Sequence, residues 1–106
     1  MITALVQFTL PQPVSSDTAR EMFSKSAPRY IGVDGLVRKY FLLSQDGGTA
    51  GGVYLWQSRA DADKMYTQEW RHSIADRYGA EPSVVFFESP VIVDNTTGEV
   101  STHPAN

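Results

Sequence analysis

Residues 36–58 read LVRKYFLLSQDGGTAGGVYLWQS, and this pattern decides the fold of the chain. Two runs rich in aromatic, leucine and valine residues flank a loop that holds Asp46-Gly47-Gly48, where either neighbouring pair suits a tight turn. The segment predicts a β-hairpin with strands over 36–44 and about 50–57. Gly51-Gly52 at the start of the second strand indicates a bulge, or the close approach of another backbone or a ligand.

The register of this hairpin sorts its side chains onto two faces. A turn at either pair places Lys39 and Phe41 on the same face as Tyr54 and Trp56. A lysine among aromatic rings has two interpretations. In the first, the lysine binds an anionic or enolised substrate in an aromatic pocket. In the second, it is a snorkelling or salt-bridged lysine that makes a cation–π contact to Trp56 or Tyr54. The opposite face takes Arg38, Tyr40, Val53, Leu55 and Gln57.

The rest of the chain completes a β-α-β-β-α-β order. This order predicts an α+β, ferredoxin-like fold, in which one antiparallel sheet carries helices on one face. The predicted domain covers residues 1–95, and residues 96–106 form a polar tail without a packing pattern. The other elements are a strand over 2–10, a helix that begins at Ser15 or Ser16 and ends or kinks at Pro28, and helices over 59–66 and 68–78. The last is a strand over 83–94, in which Pro90 marks a bend, a bulge or an edge.

Both faces of the predicted sheet are apolar, which indicates that the chain associates with a second copy. The first strand places Ala4 and Val6 on one side and Leu5 on the other, and Val84-Val85-Phe86-Phe87 is apolar on both. Helices cover only one face, so the other would expose a large apolar patch. The sequence therefore predicts a homodimer in which two sheets pack together.

The composition of the chain argues against several classes of function. The 106 residues include nine Lys and Arg against twelve Asp and Glu, for a net charge of −3, so a basic nucleic-acid surface is not expected. The absence of cysteine excludes disulfides and thiolate metal sites. No apolar run reaches the length of a membrane span, and the first residues read as a strand instead of a signal peptide. We expect a cytoplasmic protein with no nucleic-acid or membrane partner.

The predicted helices over 59–66 and 68–78 carry a mainly aromatic stripe at four-residue spacing, whose members are Tyr66, Trp70, Ile74 and Tyr78. A stripe at this spacing is typical of core, and the alternative is that Trp70 or Tyr66 forms the wall of a pocket. His72 lies on one helix face with Glu69 and Asp76, but a solvated charged face explains this set better than a metal site. We expect no bound metal.

Two segments carry a resemblance to a known family. Gly35 and Lys39 in GLVRKYF, together with residues 50–55, AGGVYL, are similar to the YdhR-like mono-oxygenases of the dimeric α+β-barrel superfamily, which are related to antibiotic-biosynthesis mono-oxygenases. The resemblance extends from the first strand to about Asn95. It implies a homodimeric barrel with a pocket between sheet and helices in each subunit. The related haem-degrading enzymes place a histidine where this chain has Ala75 or its neighbours, so no haem is expected.

The resemblance implies oxygenation of a small aromatic or polyketide-like substrate without metal, flavin or other cofactor. Lys39 is the candidate catalytic residue, because a cation stabilises an anion that develops in the substrate. The alternatives are a non-catalytic small-molecule-binding or stress-related dimer, and an isomerase or cyclase that uses the same pocket without oxygen. The candidate substrate-binding residues are Phe41, Tyr54, Trp56, Trp70, Tyr66 and Tyr40.

Overall fold

A computed structural model describes residues 1–105 and has the predicted α+β architecture. Four antiparallel strands form one sheet in the order β2-β3-β1-β4, and the helices cover one of its faces, which confirms the ferredoxin-like fold. None of the helices in this part of the chain is long and apolar enough to span a bilayer. The elements are β1 (Ile2–Thr9), α1 (Ser16–Ser26), a 3-10 helix (Ala27–Tyr30), β2 (Leu36–Leu43), β3 (Thr49–Trp56), α2 (Arg59–Met65), α3 (Gln68–Tyr78), β4 (Ser83–Glu88), β5 (Val91–Asp94) and β6 (Glu99–Thr102).

The ends of the helices follow from local sequence signals. Ser15, Ser58 and Thr67 precede α1, α2 and α3, and each side chain accepts a hydrogen bond from a backbone N–H of the first turn. Pro28 cannot continue an α-helix, and the chain tightens there into the 3-10 helix. Gly79 ends α3 in the left-handed conformation, with φ at 78°. These signals fix where α1 and α3 stop and so place Tyr30 and Tyr78.

The hairpin between β2 and β3 has the predicted register but a longer turn. Lys39 pairs with Tyr54, so the two side chains lie on the same face of the sheet, as both candidate turns predict. The prediction of a two-residue turn is wrong, because residues 45–48 form a four-residue loop. The Asp46 carboxylate accepts bonds from the Gly48 N–H at 2.9 Å and from the Ser44 hydroxyl at 2.7 Å. These side-chain bonds hold the wider loop in place.

The C-terminal strand differs from the expectation. The predicted strand over 83–94 divides at Ser89 and Pro90, because proline has no N–H for the ladder, and β5 leaves the main sheet to pair with β6. The expectation of a tail without regular structure is wrong for Glu99–Thr102, since the turn at Gly98 brings this polar segment back against β5. The boundary of the domain at residue 95 stays a prediction.

The core lies between the helices and one face of the sheet. Alternate residues of β1 and β3 point to this face, and Tyr54 and Trp56 are almost completely buried there. The opposite face remains open and apolar: Tyr40, Val85 and Phe87 are exposed by 54%, 46% and 52%. The association of two copies through this face stays a prediction. The main core residues are Ile2, Ala4, Val6, Phe8, Leu10, Ala50, Tyr54, Trp56, Ala62, Trp70 and Ile74.

Candidate active site

The amine of Lys39 lies among three aromatic rings. Its Nζ is 3.4 Å from the centroid of the Tyr30 ring, 3.8 Å from that of Phe41 and 4.5 Å from that of Tyr54. Within residues 1–105 this amine forms no ion pair and no side-chain hydrogen bond. The cation–π interpretation of Lys39 is therefore confirmed for Tyr54, while Tyr30 takes the place expected for Trp56. We call Lys39, Tyr30, Phe41 and Tyr54 the lysine cage.

The environment of the cage weakens the proton affinity of Lys39. Burial lowers the pKa of its amine, and the positive charge of Arg77 lowers it further, to about 7. The electron-rich ring faces attract the charged form, but they offer no proton acceptor. Lys39 thus exchanges a proton near neutral pH, which suits a group that takes a proton from a bound molecule and returns it.

Gly52 explains how a lysine stem fits under the rings. A Cβ placed on Gly52 would lie 2.9 Å from the backbone carbonyl oxygen of Tyr40, 3.1 Å from Cε of Lys39 and 3.3 Å from Cε1 of Tyr54. A Cβ on Gly51 would overlap the carbonyl oxygen of Val6 on the neighbouring strand. The glycine pair therefore has two roles: Gly51 lets β1 approach closely, and Gly52 leaves space for the stem of Lys39.

The space next to the amine is almost closed, although open grooves lie beside it. The enclosed cavity behind Phe41 measures about 10 Å³, room for one water at most. A groove of about 290 Å³ runs past Tyr30, Lys39 and Phe41, and a second of about 460 Å³ runs between α1 and β2 past Phe23 and Phe41. The rings of Phe23, Tyr30 and Phe41 separate these grooves from the cavity. A substrate-sized molecule reaches the inner cavity only if these rings rotate away.

Three of the predicted pocket residues form a layer behind the cage. Trp56 is fully buried, and its Nε1 donates to the Tyr66 hydroxyl at 2.9 Å. Trp70 donates from Nε1 to the Tyr30 hydroxyl at 3.4 Å and packs against the Tyr66 ring. This layer holds Tyr30 and Tyr54 in position, so the core interpretation of the aromatic stripe is confirmed for Trp70 and Ile74.

Tyr40 is the predicted site residue that the fold places elsewhere. It lies on the open face of the sheet, where its hydroxyl accepts a bond of 3.4 Å from Arg38. The cage and Tyr40 are thus separated by the sheet itself. Tyr40 faces a cleft of about 520 Å³ between the sheet and β5.

Several residues of the site were not expected from the sequence. Arg77 donates to the Ser26 hydroxyl at 3.0 Å, and Ser26 is also 3.0 Å from the Tyr78 hydroxyl, which belongs to the cavity lining. Arg77 has no carboxylate partner within residues 1–105. Lys39 at the cavity and Arg77, whose charge acts on it, thus form no ion pair within residues 1–105, an arrangement that fits an anionic ligand.

His72 lies away from the cage on the exposed side of α3. Its ring is 3.4 Å from the side-chain nitrogen of Gln68. No group of three or more histidine and acidic residues with the geometry of a metal site occurs in the described part of the chain.

Comparison with solved structures shows the same fold in microbial oxygenases. A mono-oxygenase from the gene ActVA-Orf6 of Streptomyces coelicolor, in complex with the ligand nanaomycin D, is 21% identical, with a TM-score of 0.62 over 83% of this chain and 86% of that one. SnoaB, a cofactor-independent oxygenase from Streptomyces nogalater, is 14% identical, with a TM-score of 0.60 over 83% and 91%. A protein from Deinococcus radiodurans, described as a "putative antibiotic biosynthesis monooxygenase", is 11% identical, with a TM-score of 0.65 over 89% and 97%.

Sequence comparison adds the family. No curated protein matches the chain. The sequence profile described as "Putative mono-oxygenase ydhR" matches residues 4–84, which is most of the chain. The match extends from within β1 to the start of β4 and includes the whole lysine cage. The chain belongs to the ydhR mono-oxygenase family.

Proposed function

We propose that the protein is a cofactor-independent mono-oxygenase that acts on a small aromatic or polyketide-like molecule carrying an acidic O–H or C–H group. The observation that carries this proposal is the Lys39 amine, held by aromatic rings without an acidic partner and with a pKa lowered to about 7 by burial and Arg77. Two structural neighbours support it, since one is described as a cofactor-independent oxygenase and the other was solved with nanaomycin D.

In this proposal Lys39 acts first as a base and then as a cation. The neutral amine removes a proton from the substrate, and the resulting ammonium lies beside the substrate anion. The anion supplies the electrons that reduce O₂. One oxygen atom enters the product as a carbonyl, and the other leaves as water together with the hydrogens lost from the substrate. Arg77 adds a second positive charge that favours the anion.

The rings of the site bind and orient the planar substrate. Phe41 and Tyr54 provide faces for stacking, and Phe23 and Tyr30 rotate outward to admit the molecule from the grooves. Trp56, Trp70 and Tyr66 act from the layer behind and keep the cage in place. Closure of the rings then excludes water, which strengthens the electrostatic interactions around the anion.

The functional form is a homodimer in which the open sheet faces of two copies meet. The exposed side chains of Leu42, Val85 and Phe87 lie on this face, and an apolar surface of this kind is typical of an interface. Tyr40, on the same face, contacts the partner and not the substrate. The cleft between the sheet and β5 is filled on association.

Oxygen consumption tests the proposal. The protein is mixed with a panel of hydroxylated polycyclic aromatic compounds in an oxygen electrode, without added metal or flavin, and products are identified by mass spectrometry. We expect stoichiometric oxygen uptake for at least one compound. The variant Lys39→Met should lower kcat/KM by about a hundredfold or more, the range for removal of a general base. The matched control is Lys25→Met on the exposed surface of α1, which should retain activity.

Other outcomes of this experiment would overturn the proposal. Tight binding of a compound without oxygen uptake or chemical change would identify a non-catalytic binding protein. Conversion of a compound without oxygen uptake would identify an isomerase or cyclase. Oxygen uptake that survives Lys39→Met would remove Lys39 from the chemistry.

A further inference from the structure

The position of Lys39 meets the requirements for a covalent nucleophile as well as for a base. A lysine amine attacks a carbonyl carbon only in its neutral form, and enzymes obtain this form by desolvation in an apolar pocket or by placing a second cation nearby. Lys39 has both features: it contacts three ring faces, and Arg77 is close enough to act on its charge. No acceptor in the described chain engages its nitrogen.

A groove beside the lysine cage offers an approach route to Lys39 that passes only the rings of Tyr30 and Phe41. Lys39 forms part of the wall of the 290 Å³ groove between the 3-10 helix and β2, together with Tyr30, Leu36 and Phe41. The groove is lined mainly by apolar side chains. A small carbonyl compound in this groove would therefore reach the amine once the ring of Tyr30 or Phe41, which lies between the groove and the nitrogen, rotates aside.

We propose that Lys39 forms an imine with small aldehydes or methyl ketones that enter the groove between the 3-10 helix and β2. The neutral amine adds to the carbonyl carbon and gives a carbinolamine, with the nitrogen proton moving to the oxygen. The carbinolamine then loses its hydroxyl group and the second N–H proton as one molecule of water, and a C=N double bond remains. No oxidant or reductant takes part. This activity does not depend on the oxygenase chemistry, because it consumes no O₂.

The chain provides its own comparison for this reactivity. Lys25 and Lys64 are its other lysines, and both are exposed on helices. A lysine in water, with a pKa of about 10.4, is almost entirely protonated at neutral pH. At a pKa of about 7 Lys39 is neutral in roughly half of the molecules. Its lower basicity reduces the reactivity of each neutral amine, yet the larger neutral population leaves a net advantage of at least about tenfold.

The titratable groups that face Lys39 come from three elements. Tyr54 lies on β3, Tyr30 on the 3-10 helix, and Arg77 and Tyr78 on α3. Burial raises the pKa of Tyr54, so this hydroxyl stays neutral and adds no negative charge beside the amine. The charge next to Lys39 thus remains positive through the neutral pH range, and imine formation does not require an acidic partner.

Reductive trapping tests the proposal on the intact folded protein. Benzaldehyde and sodium cyanoborohydride are added at neutral pH under nitrogen. Peptide mass mapping of samples taken over time identifies the labelled lysines and gives the rate at which each is labelled. The same mapping distinguishes labelling of the N-terminal amine from labelling of lysines. The expected product is a secondary amine that carries the aldehyde carbon skeleton without its oxygen. We expect Lys39 to be labelled at least tenfold faster than Lys25 or Lys64.

Two controls make the result decisive. In concentrated urea the preference for Lys39 should disappear, because the rings and Arg77 no longer surround it. In the Lys39→Arg variant the labelled peptide should be lost while Lys25 and Lys64 react as before. Labelling of Lys39 no faster than of Lys25, or equal preference in the folded and the urea-unfolded chain, would overturn the proposal. Since the reaction runs without oxygen, its failure is distinguishable from a failure of the oxygenase function.

Discussion

Replacement of Lys39 by methionine should change the pH dependence of folding stability in a defined direction. Methionine has a similar length and no charge, so it fills the cage without an ionisable group. In the folded protein the pKa of Lys39 is lowered to about 7, whereas in the unfolded chain it returns to about 10.4. Between these values the unfolded state binds more protons than the folded state. The wild-type protein therefore gains stability as the pH rises through this window and loses it as the pH falls to 7.

The size of the effect follows from the width of the window. Each pH unit within it contributes up to about 1.4 kcal/mol, so that between about pH 6 and pH 9 the wild type should gain about 2.5 kcal/mol relative to Lys39→Met. The variant should be the more stable protein at the acidic end, where the wild type must bury an ammonium. Comparing the two proteins cancels the titration of groups that they share.

Urea denaturation at a series of pH values measures this difference. Protein concentration must be kept fixed, because association would add its own contribution to stability. Lys25→Met serves as the matched control, and its difference from wild type should not vary with pH in the same way, since Lys25 is exposed. A stability difference between wild type and Lys39→Met that stays constant from pH 6 to pH 9 would refute the lowered pKa and with it the proposed role as a base.

Three further predictions test the surroundings of the cage and the open face. Gly52→Ala should destabilise the protein by about 1–3 kcal/mol in chemical denaturation, because the new methyl group would clash with the Tyr40 carbonyl oxygen, and it should slow the labelling of Lys39, because it also crowds the lysine stem; unchanged stability and labelling would show that the space is not needed. Trp56→Phe should cost about 1–3 kcal/mol, since it leaves the half-buried Tyr66 hydroxyl without its donor; a neutral effect in the same assay would contradict the structural role of this bond. Phe87→Lys should shift the sedimentation coefficient from dimer to monomer while circular dichroism stays unchanged; a variant that remains dimeric would exclude the open face as the interface.

The register of the hairpin could be predicted, whereas the length of its turn could not. Side chains alternate with a period of two, so both candidate turns placed Lys39, Phe41 and Tyr54 on one face. The loop length depends on the hydrogen bonds that the Asp46 side chain accepts. Its carboxylate accepts bonds from the Gly48 N–H and the Ser44 hydroxyl, and these bonds accompany a four-residue loop in place of a tight turn. Sequence pattern carries the first kind of information and not the second.

The composition of the lysine cage was only partly accessible from the sequence. Tyr54 and Phe41 follow from the strand register, but Tyr30 reaches Lys39 from a 3-10 helix whose tight geometry is not encoded in an apolar spacing. Arg77 approaches from the last turn of α3, and only the packing of α3 against the sheet brings it near the amine. Strand β6 was missed because its residues are all exposed and therefore show no apolar alternation.

The central claim is that Lys39 carries an amine that titrates near neutral pH inside an aromatic cage. An NMR titration of the lysine Cε signals in isotopically labelled protein, with Lys39→Arg to assign the resonance, measures this property without knowledge of the substrate. The account predicts a midpoint near pH 7 for Lys39, together with ring-current shifts from Tyr30 and Phe41. A midpoint close to the ordinary lysine value of about 10.4 would contradict it.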